Sequence, residues 1–288
     1  MVILVTGADG QLGRSLRKIS AEYPAHRFVF TDLSDGDIAS PERMRELADG
    51  TDLIVNCAAY TAVDKAESDI LGAMRVNRDG PAVLAAVARE RGIPVIHIST
   101  DYVFSGESDR PWRPDDRTEP VNVYGRTKLL GEKELRLSGC DAVVIRTSWL
   151  YSEFGHNFVR TMLRLGGEGR PLRVVNDQIG APTYATGLAR AVMAVAEHGV
   201  RGFELYHYTD AGQTTWHGLA QEIFRQAGMN IMVEPVTTTD YPTAARRPRY
   251  SVLDTSRLAV LGVEMRDWRE SLAECLNTMK AGWDCSLL

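Results

Sequence analysis

The opening stretch of the chain restricts its fold more than any other. Met1 to Thr6, Met-Val-Ile-Leu-Val-Thr, is an apolar and largely β-branched run, as a strand buried on both faces of a parallel sheet requires. It leads into Gly7-Ala8-Asp9-Gly10-Gln11-Leu12-Gly13, and then into a helical pattern carried by Leu12, Leu16 and Ile19. Strand, glycine turn and helix, in that order, form the setting in which a glycine motif holds a dinucleotide. Gly7 permits the turn, Gly10 lets backbone N–H groups approach a pyrophosphate, and Gly13 lets helix and strand pack closely. The helix N-terminus then faces the phosphates. The spacing is G-x-x-G-x-x-G rather than the commoner G-x-G-x-x-G, and a plain βα turn is the competing reading.

The rhythm continues. Arg27 to Asp32 reads as a second strand ending in an acid, 32 − 13 = 19 positions after Gly13. An acid about 20 residues on suits an adenosine ribose. Asp32 argues for a free 2′-hydroxyl, whereas Arg14 in the glycine loop would suit a 2′-phosphate, so NADH and NADPH both stay open. Asp37 and Ile38 follow, ahead of a helix opened by Ser40-Pro41. Asp37 reads either as a partner for an adenine edge or as a loop acid. Asp52 to Ala59 reads as a third strand, with small residues, Cys57-Ala58-Ala59, at its end. Small residues at the carboxyl end of a strand let a cofactor lie against the backbone. Met74 to Arg91 reads as one long helix, and Ile93 to Thr100 as a fourth strand with His97 as a packed residue. Residues 105–120, rich in Asp, Arg, Pro and Trp, read as a loop over the site, and 141–151 as a further strand.

Between those last two stretches lies Val121-Asn122-Val123-Tyr124-Gly125-Arg126-Thr127-Lys128. In a helix, Tyr124 and Lys128 share a face. A free Tyr has a pKa of about 10, and a cation within roughly 4–6 Å favours the phenolate. A surface Tyr beside a solvated Lys is the bland alternative. Thr100, at the end of the fourth strand, stands where a substrate carbonyl would approach Tyr124.

Alternation of strand and helix through residue 150 predicts an α/β fold, a Rossmann-like doubly wound parallel sheet. Residues 1–150 would be the NAD(P)-binding domain carrying Tyr124 and Lys128. Residues 151–288 would form a smaller C-terminal α/β domain, mainly for substrate. Helices are expected over 157–165, 184–197, 216–227 and 267–280, and a short strand with a polar loop over 172–183. Arg246, Arg247 and Arg249 in a proline-broken loop would suit a diphosphate or would simply be solvated. A net charge of −5 offers no basic footprint for nucleic acid. No apolar run approaches the roughly 20 residues of a membrane helix. Cys57, Cys140, Cys275 and Cys285 make no C-x-x-C pair and no His/Cys cluster has metal spacing. With no basic leader at the start, a reduced, cytoplasmic protein is expected.

Taken together, these stretches resemble the extended short-chain dehydrogenase/reductases over nearly the whole chain. Within them the resemblance is to the dTDP-4-dehydrorhamnose reductases. It rests on Gly7–Gly13, Asn56–Glu67, Ser99–Phe104, Asn122–Lys128, Arg146–Trp149 and Asn176–Thr183. It implies NAD(P)H-dependent reduction of the C4 keto group of dTDP-4-dehydro-L-rhamnose to give dTDP-L-rhamnose, a building block of cell-surface polysaccharide. Gly10, Gln11, Leu12, Asp32, Asp37, Ile38, Ala59, Tyr60, Thr61 and Ile98 match its cofactor positions. Tyr124 matches the catalytic acid and Lys128 its partner. Thr100, Asp101 and Trp149 match substrate contacts, and the resemblance adds Val63, Asn176 and Gln178. Some members are dimers bridged by magnesium on glutamates. Here Ser15 and Thr186 stand at positions where those members carry acids, so a monomer or a magnesium-independent homodimer is expected. Another extended-family sugar-nucleotide reductase or epimerase, and a non-catalytic regulatory subunit of the same fold, are the rival readings.

Overall fold

The computed structural model of the chain describes residues 1–282; Cys285 lies outside them. Five parallel strands fall within the stretches read as strands: β1 (Val2–Thr6), β2 (Arg27–Thr31), β3 (Leu53–Asn56, which ends before the small residues 57–59), β4 (Val95–Thr100) and β5 (Ala142–Thr147). A further parallel strand, Phe203–His207, completes the sheet, in the order β2, β1, β3, β4, β5, Phe203–His207. From β1 the chain steps outward to β2 and then back past β1 to β3. That reversal opens a crevice at the carboxyl ends of β1 and β3, where doubly wound sheets hold ligands.

The unbroken apolar runs are explained by two covered faces. On β1, Ile3 and Val5 pack with Leu12 and Leu16 of the first helix and with Leu188 and Val192 of helix Ala185–His198. Leu4, between them, points to the opposite core, with Met44, Leu84 and Leu135. Each such side chain taken fully from water is worth roughly 1.5–3 kcal/mol. The architecture is α/β, a Rossmann-like doubly wound sheet. A third core, with Tyr151, Val159, Ile223, Phe224, Trp268 and Leu272, lies in the second half.

Three expectations change. The stretch 74–91 is not one regular helix: Arg75–Asp79 is a π-turn between helices Ile70–Met74 and Gly80–Arg91. Its Asn77 holds the loop after β3, accepting from Tyr60 N (2.9 Å) and donating to the Tyr60 carbonyl (3.1 Å). The strand at 141–151 breaks after Thr147, because Trp149 takes a left-handed backbone (φ 47°), and only Leu150–Tyr151 resumes it. The boundary near residue 150 is not a clean cut either. Helix Ala185–His198 and strand Phe203–His207 belong to the main sheet, while Trp216–Ala227 and Trp268–Gly282 build the third core.

Candidate active site

The glycine turn and the end of β3 meet in van der Waals contact. A Cβ on Gly7 (φ 66°) would stand 2.5 Å from Ala58 N, and one on Gly13 would stand 2.4 Å from the Gly7 carbonyl oxygen. Both positions therefore need glycine. Gly13 closes the turn from behind, while Gly7 and Gly10 face an open cavity of about 850 Å³. Asp32 lies at its rim. Its carboxylate accepts from Asp9 N (2.8 Å) and Leu33 N (2.7 Å). Asp37 is paired with Arg75 at 2.6 Å, and with Ile38 it lines the same end of the cavity. Ala58, Ala59, Tyr60 and Thr61 form the floor beyond β3, and Val63 and Ile98 stand nearby. Arg14 is exposed, its guanidinium 4.7 Å from the Phe154 ring.

Helix Val123–Ser138 brings in Tyr124 and Lys128. Asn122 caps it, Oδ1 accepting from Gly125 N at 2.8 Å, and Glu67 accepts from Val123 N at 2.8 Å. Gly125 lies against the Tyr102 carbonyl oxygen, so the helix sits directly on the loop that follows β4. Tyr124 and Lys128 then face the cavity together with Thr100. The Thr100 hydroxyl donates to Asp101 Oδ1 (2.9 Å) and accepts from Tyr102 N (3.2 Å).

Electrostatics differ from the simple expectation. Burial pushes the Tyr124 phenol up to about 12, with the Thr100 hydroxyl pulling down and Asp101 pushing up. Lys128 Nζ donates to the Ile98 carbonyl (2.6 Å) and contacts His97 Nε2 (3.2 Å). Burial brings Lys128 itself down to about 8. Asp101, equally buried, is pushed up to about 7.

This arrangement suits a nicotinamide dinucleotide and a carbonyl substrate. The cavity floor is glycine and alanine backbone, an acid stands at one end, and a protonated phenol with a tunable amine stands at the other. The comparisons agree. The family profile described as RmlD substrate binding domain matches residues 1–281. A dTDP-4-dehydrorhamnose reductase of Burkholderia thailandensis is 40% identical, over 97% of this chain and 99% of that protein. The chain belongs to the dTDP-4-dehydrorhamnose reductase family. A crystal structure of a dTDP-4-dehydrorhamnose reductase from Clostridium acetobutylicum superposes with a TM-score of 0.93 at 39% identity, covering 97% of this chain and all of that one. Another, from Bacillus anthracis in complex with NADP, gives 0.91 at 34% identity, covering 96% and 99%.

Of the residues singled out in the sequence, most line this one cavity, Trp149 included. Asn176, Gln178 and Arg247 do not. Asn176 accepts from the Thr215 hydroxyl (2.7 Å), Gln178 accepts from Trp216 Nε1 (3.2 Å), and Arg247 is doubly bonded to Asp64 (2.8 and 2.6 Å). Residues 105–120 do not line the cavity; Trp112 instead stacks on Phe104 and pairs with Leu253. Sequence reasoning missed Trp216, which stacks on Trp149 with centroids 3.6 Å apart, and Asn157, which donates to Gln11 Oε1 at 2.9 Å. Both line the cavity. Asn157 carried a readable signal as an N-cap before an apolar helix; Trp216, a helix-start aromatic, carried none.

Proposed function

We propose that this chain reduces the C4 keto group of dTDP-4-dehydro-L-rhamnose to give dTDP-L-rhamnose, using NAD(P)H. The observation that carries the reading is the convergence of Tyr124, Lys128 and Thr100 on the crevice between β1 and β3. Backbone around Gly7 and Gly10 would hold the pyrophosphate, Asp32 the adenosine ribose, Ala58 to Thr61 the middle of the cofactor, and Lys128 the nicotinamide ribose. The nicotinamide supplies hydride when bound. Tyr124, protonated throughout the neutral range because its pKa is raised to about 12, donates to the oxygen that becomes the C4 hydroxyl. Positioned acids of this kind typically contribute about 10²–10⁴-fold. Thr100 orients that oxygen. Asp101, held near neutrality, can donate to Thr100 in its protonated form, which frees the Thr100 hydrogen for the substrate. Trp149 and Trp216 supply an apolar wall for the sugar. Arg247 reaches a diphosphate only on leaving Asp64. Residues of the second half are thus assigned mainly to the sugar nucleotide.

The decisive assay is NAD(P)H oxidation against a panel of 4-keto sugar nucleotides, run with both cofactors. Net consumption separates a reductase from an epimerase, which returns its cofactor. Tyr124→Phe is expected to keep cofactor affinity and to lower kcat by at least ~10²; near-normal turnover contradicts the assignment of Tyr124.

We also place the enzyme in the cytoplasm, where few, scattered cysteines stay reduced; among the described residues Cys57, Cys140 and Cys275 form no disulfide. As to assembly, we propose a monomer or a magnesium-independent homodimer. Magnesium is usually held through one or two carboxylates. Ser15 and Thr186 offer only hydroxyls, and both are buried within the subunit. Sedimentation velocity should give the same species in EDTA and in millimolar MgCl₂; a dimer that dissociates on chelation and returns with magnesium contradicts this.

A further inference from the structure

His97, in the middle of β4, is fully buried, with a polar partner at each ring nitrogen. Asn56 Nδ2 lies 2.9 Å from Nδ1, and Lys128 Nζ lies 3.2 Å from Nε2. The direction of each bond follows from one end of the chain of contacts. The backbone N–H of Ala58 can only donate, and it reaches Asn56 Oδ1 at 3.1 Å. The Thr6 hydroxyl donates to the same oxygen at 2.7 Å. The other amide atom of Asn56 is therefore its nitrogen, which also can only donate. His97 Nδ1 must accept it. Burial and the neighbouring lysine hold the imidazole pKa well below its ordinary range, so the ring is neutral. A neutral ring with a bare Nδ1 carries its proton on Nε2, and that N–H faces Lys128. An ammonium has no lone pair to receive it, whereas an amine has one.

We propose that His97 is a positioning residue that sets the proton affinity of Lys128, bonding the amine form through Nε2–H and opposing the ammonium form. Lys128 still donates to the Ile98 carbonyl in either form. Burial is the largest influence on Lys128 and lowers its pKa, Glu132 and Cys57 oppose it, and His97 adds to the lowering through its Nε2–H. Glu132, one turn further along the helix, is engaged by Arg146 (2.7 and 2.9 Å) and by the Ser99 hydroxyl (2.5 Å). The Cys57 thiol, pushed up to about 12 by burial, is neutral, as is Tyr124 one turn back. Burial of Lys128 acts in the same direction as His97. A lysine held in this way exchanges a proton near neutrality. Under the reading given above, it lines the same cavity as Tyr124, where the sugar takes up a proton. The tautomer itself does not depend on that reading.

The chain has six histidines and five lysines, few enough for residue-type ¹⁵N labelling and NMR of the whole protein without cofactor. The His97 signal is identified by its loss in His97→Asn. It should show a bare Nδ1 and a protonated Nε2 across the neutral range. In His97→Asn the shorter amide still accepts from Asn56 but cannot reach Lys128. There the Lys128 Nζ titration midpoint should rise by about one pH unit, the equivalent of one hydrogen bond. In Asn56→Asp an acceptor faces Nδ1, so the ring proton should move to Nδ1. A proton on Nδ1 in the unaltered protein, or an unmoved Lys128 midpoint in His97→Asn, overturns the proposal. Should a variant not fold, the tautomer of the unaltered protein decides. If tautomer and midpoint behave as expected but no 4-keto sugar is reduced, the assigned reaction fails and the role of His97 stands.

Discussion

Asp210 shows how far a single carboxyl can be displaced inside this fold. It lies beneath the start of helix Ala185–His198, only 2% exposed, with Oδ2 accepting from Tyr184 N at 2.9 Å. Burial pushes it up to about 7. The folded pKa thus exceeds the ordinary carboxyl value. The stabilisation is then full below about pH 4 and is lost as pH rises through about 7. Asp210→Asn keeps an acceptor for Tyr184 N and removes the ionisation. Relative to the unaltered protein, its Tm should rise between pH 5 and pH 8.5, by the equivalent of about 1–3 kcal/mol. A pH-independent difference in scanning calorimetry contradicts this. At this scale the sequence was legible where chemistry and spacing coincide. The four-residue step from Tyr124 to Lys128 and the strand-end acid Asp32 are local patterns. The Asp210 shift, the Trp149–Trp216 stack and the contact of His97 with Lys128 are not, because each joins side chains that only tertiary packing brings together.

The glycine turn acts as an element rather than as separate residues. A methyl at Gly13 meets the Gly7 carbonyl oxygen at 2.4 Å and Ala8 Cα at 2.5 Å, all backbone, so nothing can rotate away. Gly13→Ala should lower stability by roughly 1–3 kcal/mol, in the range of overpacked sites. It should also weaken NADPH binding, since relief must come from moving the turn. Denaturant titration and cofactor titration check the two effects, and an unchanged pair of values contradicts the tight-turn account. The strands and this turn were readable from β-branched runs and glycine spacing. The π-turn Arg75–Asp79 was not, since helical periodicity there is close to that of an α-helix and the Asn77 contact with the Tyr60 backbone exists only in the folded chain. The break at Trp149 escaped likewise, since a left-handed tryptophan has no sequence signature.

For the whole molecule, the first half was legible as alternating strand and helix, and the second half less so. Phe203-Glu204-Leu205-Tyr206-His207 is short, mixed in polarity and far from its partner, so nothing local marks it as part of the main sheet. Phe203 pairs with Ala142, 203 − 142 = 61 positions earlier. During synthesis β1 to β5 therefore leave the ribosome well before the sheet can close. Until residue 207 emerges, β5 is an open edge, and unpaired edges invite pairing between chains. Ile3, Val5 and Leu16 also wait for Leu188 and Val192. Closure over such separations is slow, and partly folded chains with bare edges aggregate. Residues 1–150 produced alone should thus melt without a cooperative transition and self-associate, whereas the whole chain should melt as one unit; a cooperative calorimetric transition of the short chain would contradict this. The last sheet strand is in effect a checkpoint of biogenesis: a chain that stops short of it keeps its glycine turn and its Tyr124–Lys128 helix but has no finished sheet to hold them.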